Sequence, residues 1–231
     1  MEQRRIVIAI DGPVASGKST TARQVARRLE YLYIDSGAMY RAVALRALRA
    51  GVDLTDEEAI SAVAAQADIS LPEKDGGVLL DGEDVTEAIR TPEVADASSH
   101  VAAIPGVREA LIRRQRDLGQ AGGVVMDGRD IGTVVFPEAA LKVYLTASPE
   151  TRARRRHAEL KRRGVESSLQ ETERQIRERD ARDLRTQTSR SGGLYAQDAV
   201  VIDTTRLSIQ EQVNTILSLA LDRGASGLAR T

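Results

Sequence analysis

The stretch Arg4 to Thr20, RRIVIAIDGPVASGKST, constrains this chain more than any other, because a short apolar run in it ends in a turn bounded by glycines. From Gly12 through Pro13, Val14, Ala15, Ser16, Gly17 and Lys18 to Ser19 the spacing is G-x-x-x-x-G-K-[ST]. That spacing has a mechanism: a flexible loop wraps backbone N–H groups around a polyphosphate, the lysine reaches the outer phosphates, and the hydroxyl coordinates Mg²⁺. A surface turn can hold Gly-Lys-Ser by chance, so the flanks decide. Ile6 to Ile10 reads as a buried strand and Thr20 to Leu29 as a helix, which is the strand–turn–helix context the loop requires. The helix N-terminus adds its dipole and free N–H groups to the anion site. The sequence therefore predicts nucleoside triphosphate binding over Gly12 to Thr20, with Lys18 as a catalytic cation and Ser19 as the hydroxyl for Mg²⁺.

Composition narrows the class. The 231 residues suffice for one large domain or a core with inserts, and 42% hydrophobic with 29% charged residues is the balance of a soluble globular protein. A formal net charge of -1 gives no global attraction to nucleic acid or to an anionic membrane. Aromatic residues are only 3%, too few for base-stacking platforms, which argues against a nucleotide-dependent RNA or DNA binder. With no cysteine, disulfides, thiolate metal sites and cysteine nucleophiles are excluded, and a cytoplasmic location is expected. Only His100 and His157 are present, which disfavours a zinc site. The first apolar run is too short for a signal or membrane-spanning segment, so the mature protein is expected to begin where the sequence begins.

Four apolar runs end on aspartate: Ile10-Asp11, Tyr31 to Asp35, Val124 to Asp127 and Val200 to Asp203; Leu141 to Leu145 supplies a fifth strand. Helical segments separate them, the rhythm of a parallel sheet covered on both faces. Ligands of such sheets bind at the carboxyl ends of the strands, so the four aspartates are expected near the phosphate loop, unless they cap helices. Between Ser36 and Gly119 the rhythm changes. Helices are expected at Ser36 to Arg49, with Ser36 as cap, at Asp56 to Ala67, and at Pro92 to Ala102 and Pro105 to Leu118, each of the last two opening on proline. Strand pieces at Ile69-Ser70-Leu71 and Val78-Leu79-Leu80 flank a hairpin signal at Lys74 to Gly77. This stretch reads as an insert that grips a substrate.

From Pro149 the chain is strongly basic, with Arg152, Arg154, Arg155, Arg156, Lys161, Arg162 and Arg163 before Gly164, and a second charged helix follows from Ser168 to Arg185. A solvated face is the plain reading of such a run. Its self-repulsion is better relieved by an external anion, which a lid closing over triphosphate would meet. Thr186 to Gly193 is expected to be a loose turn, Ser208 to Leu221 an amphipathic closing helix, and Arg223 to Thr231 a disordered tail.

A phosphate loop does not by itself choose a reaction. The N-K-x-D and D-x-x-G elements of a GTPase are missing, and motors are usually larger, which leaves a small phosphotransferase. Arg41, Arg108 and Arg129 arrive from separate segments, and the planar guanidinium grips phosphate bidentately, so a second anionic substrate is implied. A phosphate monoester acceptor is already ionised and needs no general base, which fits the scarcity of histidine and leaves catalysis to positioning and charge stabilisation.

Beyond the loop, Ile10-Asp11-Gly12-Pro13, DSGAMYR (Asp35 to Arg41), DGEDV (Asp81 to Val85), VREAL (Val107 to Leu111) and DGRDIGTVVFP (Asp127 to Pro137) together closely resemble the bacterial cytidylate kinases, in register over roughly residues 5 to 222. The last block argues against shikimate or thymidylate kinases. The resemblance implies an α/β, three-layer P-loop NTPase fold with a five-stranded parallel sheet, a mixed helix and antiparallel-strand acceptor insert, and a helical lid. Its parts would be core at 1–53, 119–148 and 186–222, insert at 54–118, lid and following helix at 149–185, and tail at 223–231. It further implies in-line transfer of the γ-phosphate of ATP, carried with Mg²⁺, to CMP or dCMP by a monomer, with no covalent intermediate. By resemblance Ser36, Ser99, Arg108 and Asp130 read cytosine, Arg41 and Arg129 hold the CMP phosphate and serve catalysis, and Arg179 with Asp183 contacts the sugar. Arg155 is taken as the catalytic lid arginine, with Arg152, Arg154 and Arg156 as alternatives. The sequence departs from the family at Thr186, where an arginine is usual, so that Arg185 or Arg190 would take that contact.

Overall fold

A computed structural model describes residues 5–72, 77–191 and 193–226, with backbone alone over 185–191. The parallel sheet has five strands, β1 (Val7–Asp11), β2 (Leu32–Asp35), β6 (Val124–Gly128), β7 (Leu141–Thr146) and β8 (Val200–Asp203), in the order β2-β6-β1-β7-β8. This is the three-layer α/β architecture expected. Strands covered on both faces read as unbroken apolar runs, and Ile8, Ala9 and Ile10 of β1 are fully buried. The flanking strands β6 and β7 pair with β1 in parallel, Ile10 lying opposite Asp127 on one side and Val143 on the other. The loop after β1 therefore sits between two strands at their carboxyl ends, where sheets of this kind bind ligands.

The chain forms two compact units, Met1–Tyr31 with Gly123–Thr231, and Leu32–Gly122. In the first, α1 (Lys18–Leu29) packs against α8 (Ile209–Asp222), and α6 (Pro149–Arg162) against α7 (Leu169–Ser191). Apolar stripes explain the first pair: Ala22, Val25, Ala26 and Leu29 on α1 and Val213, Ile216, Leu217 and Ala220 on α8 are buried. Burying a leucine, isoleucine or valine side chain stabilises by about 1.5–3 kcal/mol, so this stripe outweighs any propensity term. Ser208 and Glu211 close a reciprocal capping box at the start of α8.

In the second unit, α2 (Ser36–Arg49) packs on α4 (Pro92–Val101), and α3 (Glu57–Gln66) on α5 (Pro105–Gly119). Gly106 permits the second contact, since a Cβ there would lie 2.4 Å from the Ser61 hydroxyl. The cap of α2 is Asp35 and not Ser36: the Asp35 carboxylate accepts from the Ala38 N–H at 2.9 Å, and Ser36 is the first helical residue. Either type caps a helix, but the strand delivers Asp35 to the non-helical position. A three-stranded antiparallel sheet joins β3 (Ile69–Ser70), β4 (Leu79–Leu80) and β5 (Glu83–Asp84). Its second turn, Asp81-Gly82, has φ of 50° and 84°, the left-handed pair favoured in tight hairpins; the strand after it was not anticipated. The expected hairpin signal at Lys74 to Gly77 falls mostly outside the described residues, as does the end of the tail from residue 227.

The loose turn expected from Thr186 is corrected, because α7 runs on to Ser191. Neither glycine nor proline stands between Arg185 and Ser191, so nothing in that stretch breaks the helix, and the first glycine is residue 192. Side chains at Arg185 and Arg190 lie outside the described residues, so the two alternatives for the contact at Thr186 stay as they were.

Candidate active site

The phosphate loop is shaped by positions where only a small residue fits. At Gly12 φ is +152° and a Cβ would stand 2.1 Å from the Leu145 carbonyl oxygen, so the loop leaves β1 pressed against the backbone of β7. Left-handed turns at Ala15, φ 59°, and Gly17, φ 95°, curl the backbone into a concavity of the kind whose N–H groups gather an anion. Among the described residues, α1 has no side-chain cap and no acidic residue in its first turn. A helix start of this kind favours an anion through its first N–H groups and its dipole. Within the loop, Lys18 Nζ donates to the Pro13 carbonyl at 3.3 Å, and the Ser16 side chain is fully buried.

Side chains from other segments hold this loop and the helix that follows it. Ser19 Oγ donates to Asp127 Oδ2 at 2.7 Å, joining the end of β6 to the first turn of α1. Arg129 donates to the Gly12 carbonyl and pairs with Asp183 of α7 at 2.9 Å. Arg152, buried with its residue 4% exposed, grips Asp180 through both nitrogens at 3.0 and 2.6 Å and reaches the Val14 carbonyl at 3.4 Å. Arg155 reaches the Ser16 carbonyl at 3.3 Å and both oxygens of Thr204 at 3.0 and 2.7 Å. On the far side, the fully buried Gln212 accepts from the Thr21 hydroxyl at 2.8 Å. Part of the repulsion within α6 is relieved inside the unit, since Asp180 answers Arg152 and Glu159 answers Arg156 at 2.9 Å, so these two do not depend on an external anion.

Of the three strand-ending aspartates in this unit, Asp127 alone bonds to the loop. Asp203 accepts from the Thr205 N–H and hydroxyl, a local turn that holds its carboxyl below the usual range. Asp11 accepts the N–H groups of Ile131 and Gly132 at 2.9 and 2.8 Å, fixing the start of a single π-helical turn, Ile131–Val135. Burial pushes the Asp11 carboxyl up to about 7, while those two N–H donors pull it down. A carboxyl that holds its proton more tightly folded than unfolded favours the folded state fully below about pH 4, and that advantage is lost as pH rises to about 7. The wild type is expected to lose on the order of 3 kcal/mol of unfolding free energy across that window relative to Asp11→Asn. Urea unfolding at a series of pH values measures this, and parallel curves would mean that Asp11 is ionised throughout.

The expected site residues divide between the two units. Gly12 to Thr20, Arg129, Asp130, Arg155, Arg179 and Asp183 lie in the first, where Arg129 meets the loop and pairs with Asp183. Arg179 stands one helical turn before Asp183 on α7. Ser36, Arg41, Ser99 and Arg108 lie in the second, on α2, α2, α4 and α5. There Arg41 pairs with Asp35 at 3.0 Å, so the cap of α2 also orients the guanidinium. Asp127 was expected near the loop as an aspartate closing an apolar strand, and Arg152 was one of the alternatives to Arg155; both do reach the loop. Thr204 and Gln212 were not singled out, and their contacts, which bridge segments far apart in sequence, leave no local signal.

The pattern of the cytidylate kinase family matches residues 8–222. A cytidylate kinase of Desulfitobacterium hafniense is 50% identical over 230 residues, spanning 99% of this chain and 98% of its own. One from Geobacillus kaustophilus is 50% identical over 223 residues, spanning 96% and 99%. Among solved structures, an uncharacterized protein from Eubacterium ventriosum matches with a TM-score of 0.51 at 10% identity, over 93% of this chain and 97% of that one, a likeness of fold alone.

Proposed function

This chain belongs to the cytidylate kinase family and is an ATP-dependent (d)CMP kinase, and from that premise we propose which of its residues carry the transfer of the γ-phosphate of ATP to CMP or dCMP, giving ADP and CDP or dCDP. The observation that carries the assignment is the uncapped start of α1, with Lys18 folded over the loop and Asp127 on Ser19. Backbone N–H groups from Gly12 to Thr20 bind the triphosphate, and the Lys18 ammonium stabilises the charge that builds on the outer phosphates. Arg129, which donates to the loop at Gly12, orients the acceptor phosphate together with Arg41, and Arg155 steadies the donor from the lid. The acceptor oxygen attacks in line and displaces ADP. As it is already an anion, no side chain need take a proton, and no enzyme-bound phosphate forms.

The Ser19 hydroxyl and the Asp127 carboxylate, 2.7 Å apart, are hard oxygen donors and fit Mg²⁺ delivered with ATP. When bound, the ion supplies positive charge to the β- and γ-phosphates. The same reading makes residues 54–118 the acceptor lobe, with Ser36, Ser99, Arg108 and Asp130 on cytosine and Arg179 with Asp183 on the sugar, and it makes residues 149–185 the lid. It also takes the enzyme to be a cytoplasmic monomer acting on small molecules, with neither nucleic acid nor membrane as partner. No helix among the described residues is long and apolar enough to cross a membrane.

Base recognition gives the test. Arg108→Ala is expected to raise the KM for CMP by about tenfold or more, because a polar group matched to a base edge is costly to lose, and to leave the KM for ATP within about twofold. Initial rates with each substrate varied in turn decide it. Equal changes in both constants would assign Arg108 to structure.

A further inference from the structure

Thr204 follows β8 and is fully buried, and its hydroxyl joins three segments. The Oγ1 donates to the Ser16 carbonyl of the phosphate loop at 2.8 Å and to the Thr146 carbonyl at the end of β7 at 2.9 Å, and it accepts from Arg155 of α6 at 3.0 Å. A hydroxyl has one proton and two lone pairs, and here the proton is shared between two carbonyls while the guanidinium takes a lone pair. The Ser16 carbonyl is thereby held by both Thr204 and Arg155, and Arg155 is in turn fixed by the Thr204 carbonyl at 2.7 Å. Next in the chain, Thr205 accepts from the N–H of Ser148, the cap of α6, at 2.9 Å. The turn after β8 thus ties the first turns of the lid helix to the loop residue that precedes Gly17 and Lys18.

We propose that Thr204 is a positioning residue for the donor phosphates: its hydroxyl sets the Ser16 peptide, and so the N–H groups that follow it into α1, against Arg155. A peptide held through its carbonyl presents its partner N–H in a fixed direction, because the peptide unit is planar. Without the hydroxyl, the Ser16 peptide keeps only the longer contact to Arg155, and Arg155 keeps only the carbonyls. This role rests on the phosphotransferase reading above. It acts on ATP and leaves the acceptor lobe untouched.

The experiment compares Thr204→Val, which keeps the shape without the hydroxyl, with Thr204→Ser, which keeps the hydroxyl without the methyl. In Thr204→Val, kcat/KM for ATP is expected to fall by about 10- to 100-fold, the scale of a small misplacement in a preorganised site, while the KM for CMP stays within about twofold. Thr204→Ser is expected to stay within about twofold of the wild type in both. Thr204→Ala supplies the hydroxyl-free chain should the valine variant not fold. Wild-type ATP kinetics in a hydroxyl-free variant would overturn the proposal, as would a serine variant as impaired as valine, which would assign the effect to the methyl group. The wild-type rate with CMP is measured alongside. Its absence would remove the activity on which the role rests, whereas an active wild type with an unaffected valine variant removes the role alone.

Discussion

Lys18→Ala is expected to lower kcat for phosphoryl transfer by about 10³-fold or more and to leave the melting temperature within about 3 °C of the wild type. The size follows from where the charge builds. Phosphoryl transfer gives the protein little covalent chemistry to do, so a positioned cation beside the outer phosphates acts on the transition state directly, and a thousandfold loss corresponds to about 4 kcal/mol. The small effect on stability follows from the ground state: Lys18 is half-buried and donates within its own loop, to the Pro13 carbonyl, a kind of bond worth about 1 kcal/mol. Arginine is not expected to restore activity at this position, since its wide planar fork does not replace a compact ammonium on a flexible stem. Single-turnover kinetics beside a thermal melt separate the two effects. Near-wild-type turnover would remove the phosphate loop from the mechanism.

Gly12→Ala is expected to damage fold and function together. The added Cβ would meet the Leu145 carbonyl oxygen at 2.1 Å and its carbon at 3.1 Å, and a φ of +152° is strained for any L side chain. The obstruction is the backbone of β7, paired on one side with β1 and on the other with β8, so it cannot swing away as a side chain would. The loop must move instead, and it carries with it the carbonyl to which Arg129 donates. A loss of about 3 kcal/mol or more is expected, or about 10 °C in melting temperature for a chain of this size, together with at least a tenfold rise in the KM for ATP. A variant as stable and active as the wild type would show that Gly12 does not need this conformation.

The difference between these two positions also shows what a sequence can disclose. Gly12 and Lys18 stood in one short motif, and both the loop and the strand and helix beside it were legible because their geometry is set by neighbours in the chain. The buried strands were legible for the same reason: Val124 to Met126 is an unbroken apolar run because both faces are covered. What escaped depends on partners that are distant in sequence. Nothing near Thr204 announces that its hydroxyl meets Ser16, and nothing near Arg152 that Asp180 lies across from it on α7. Arg152 in α6 therefore looked more exposed than it is. At Asp35 and Ser36 two residues could cap the same helix, and only the course of β2 decides between them. The Asp81-Gly82 turn was not read as one, and with only two residues in the strand that follows, alternation had no length over which to show.

One chemical claim underlies these roles, that the acceptor is a cytidine monophosphate. It is tested most directly by an ADP-release assay with ATP·Mg²⁺ against CMP, dCMP, UMP, AMP, dTMP and shikimate, one acceptor at a time. A clear preference for CMP and dCMP is the predicted result. Faster turnover with another acceptor, or no turnover with any of them, would contradict the account, and the roles given to Ser36, Arg41, Ser99, Arg108 and Asp130 would fall with it.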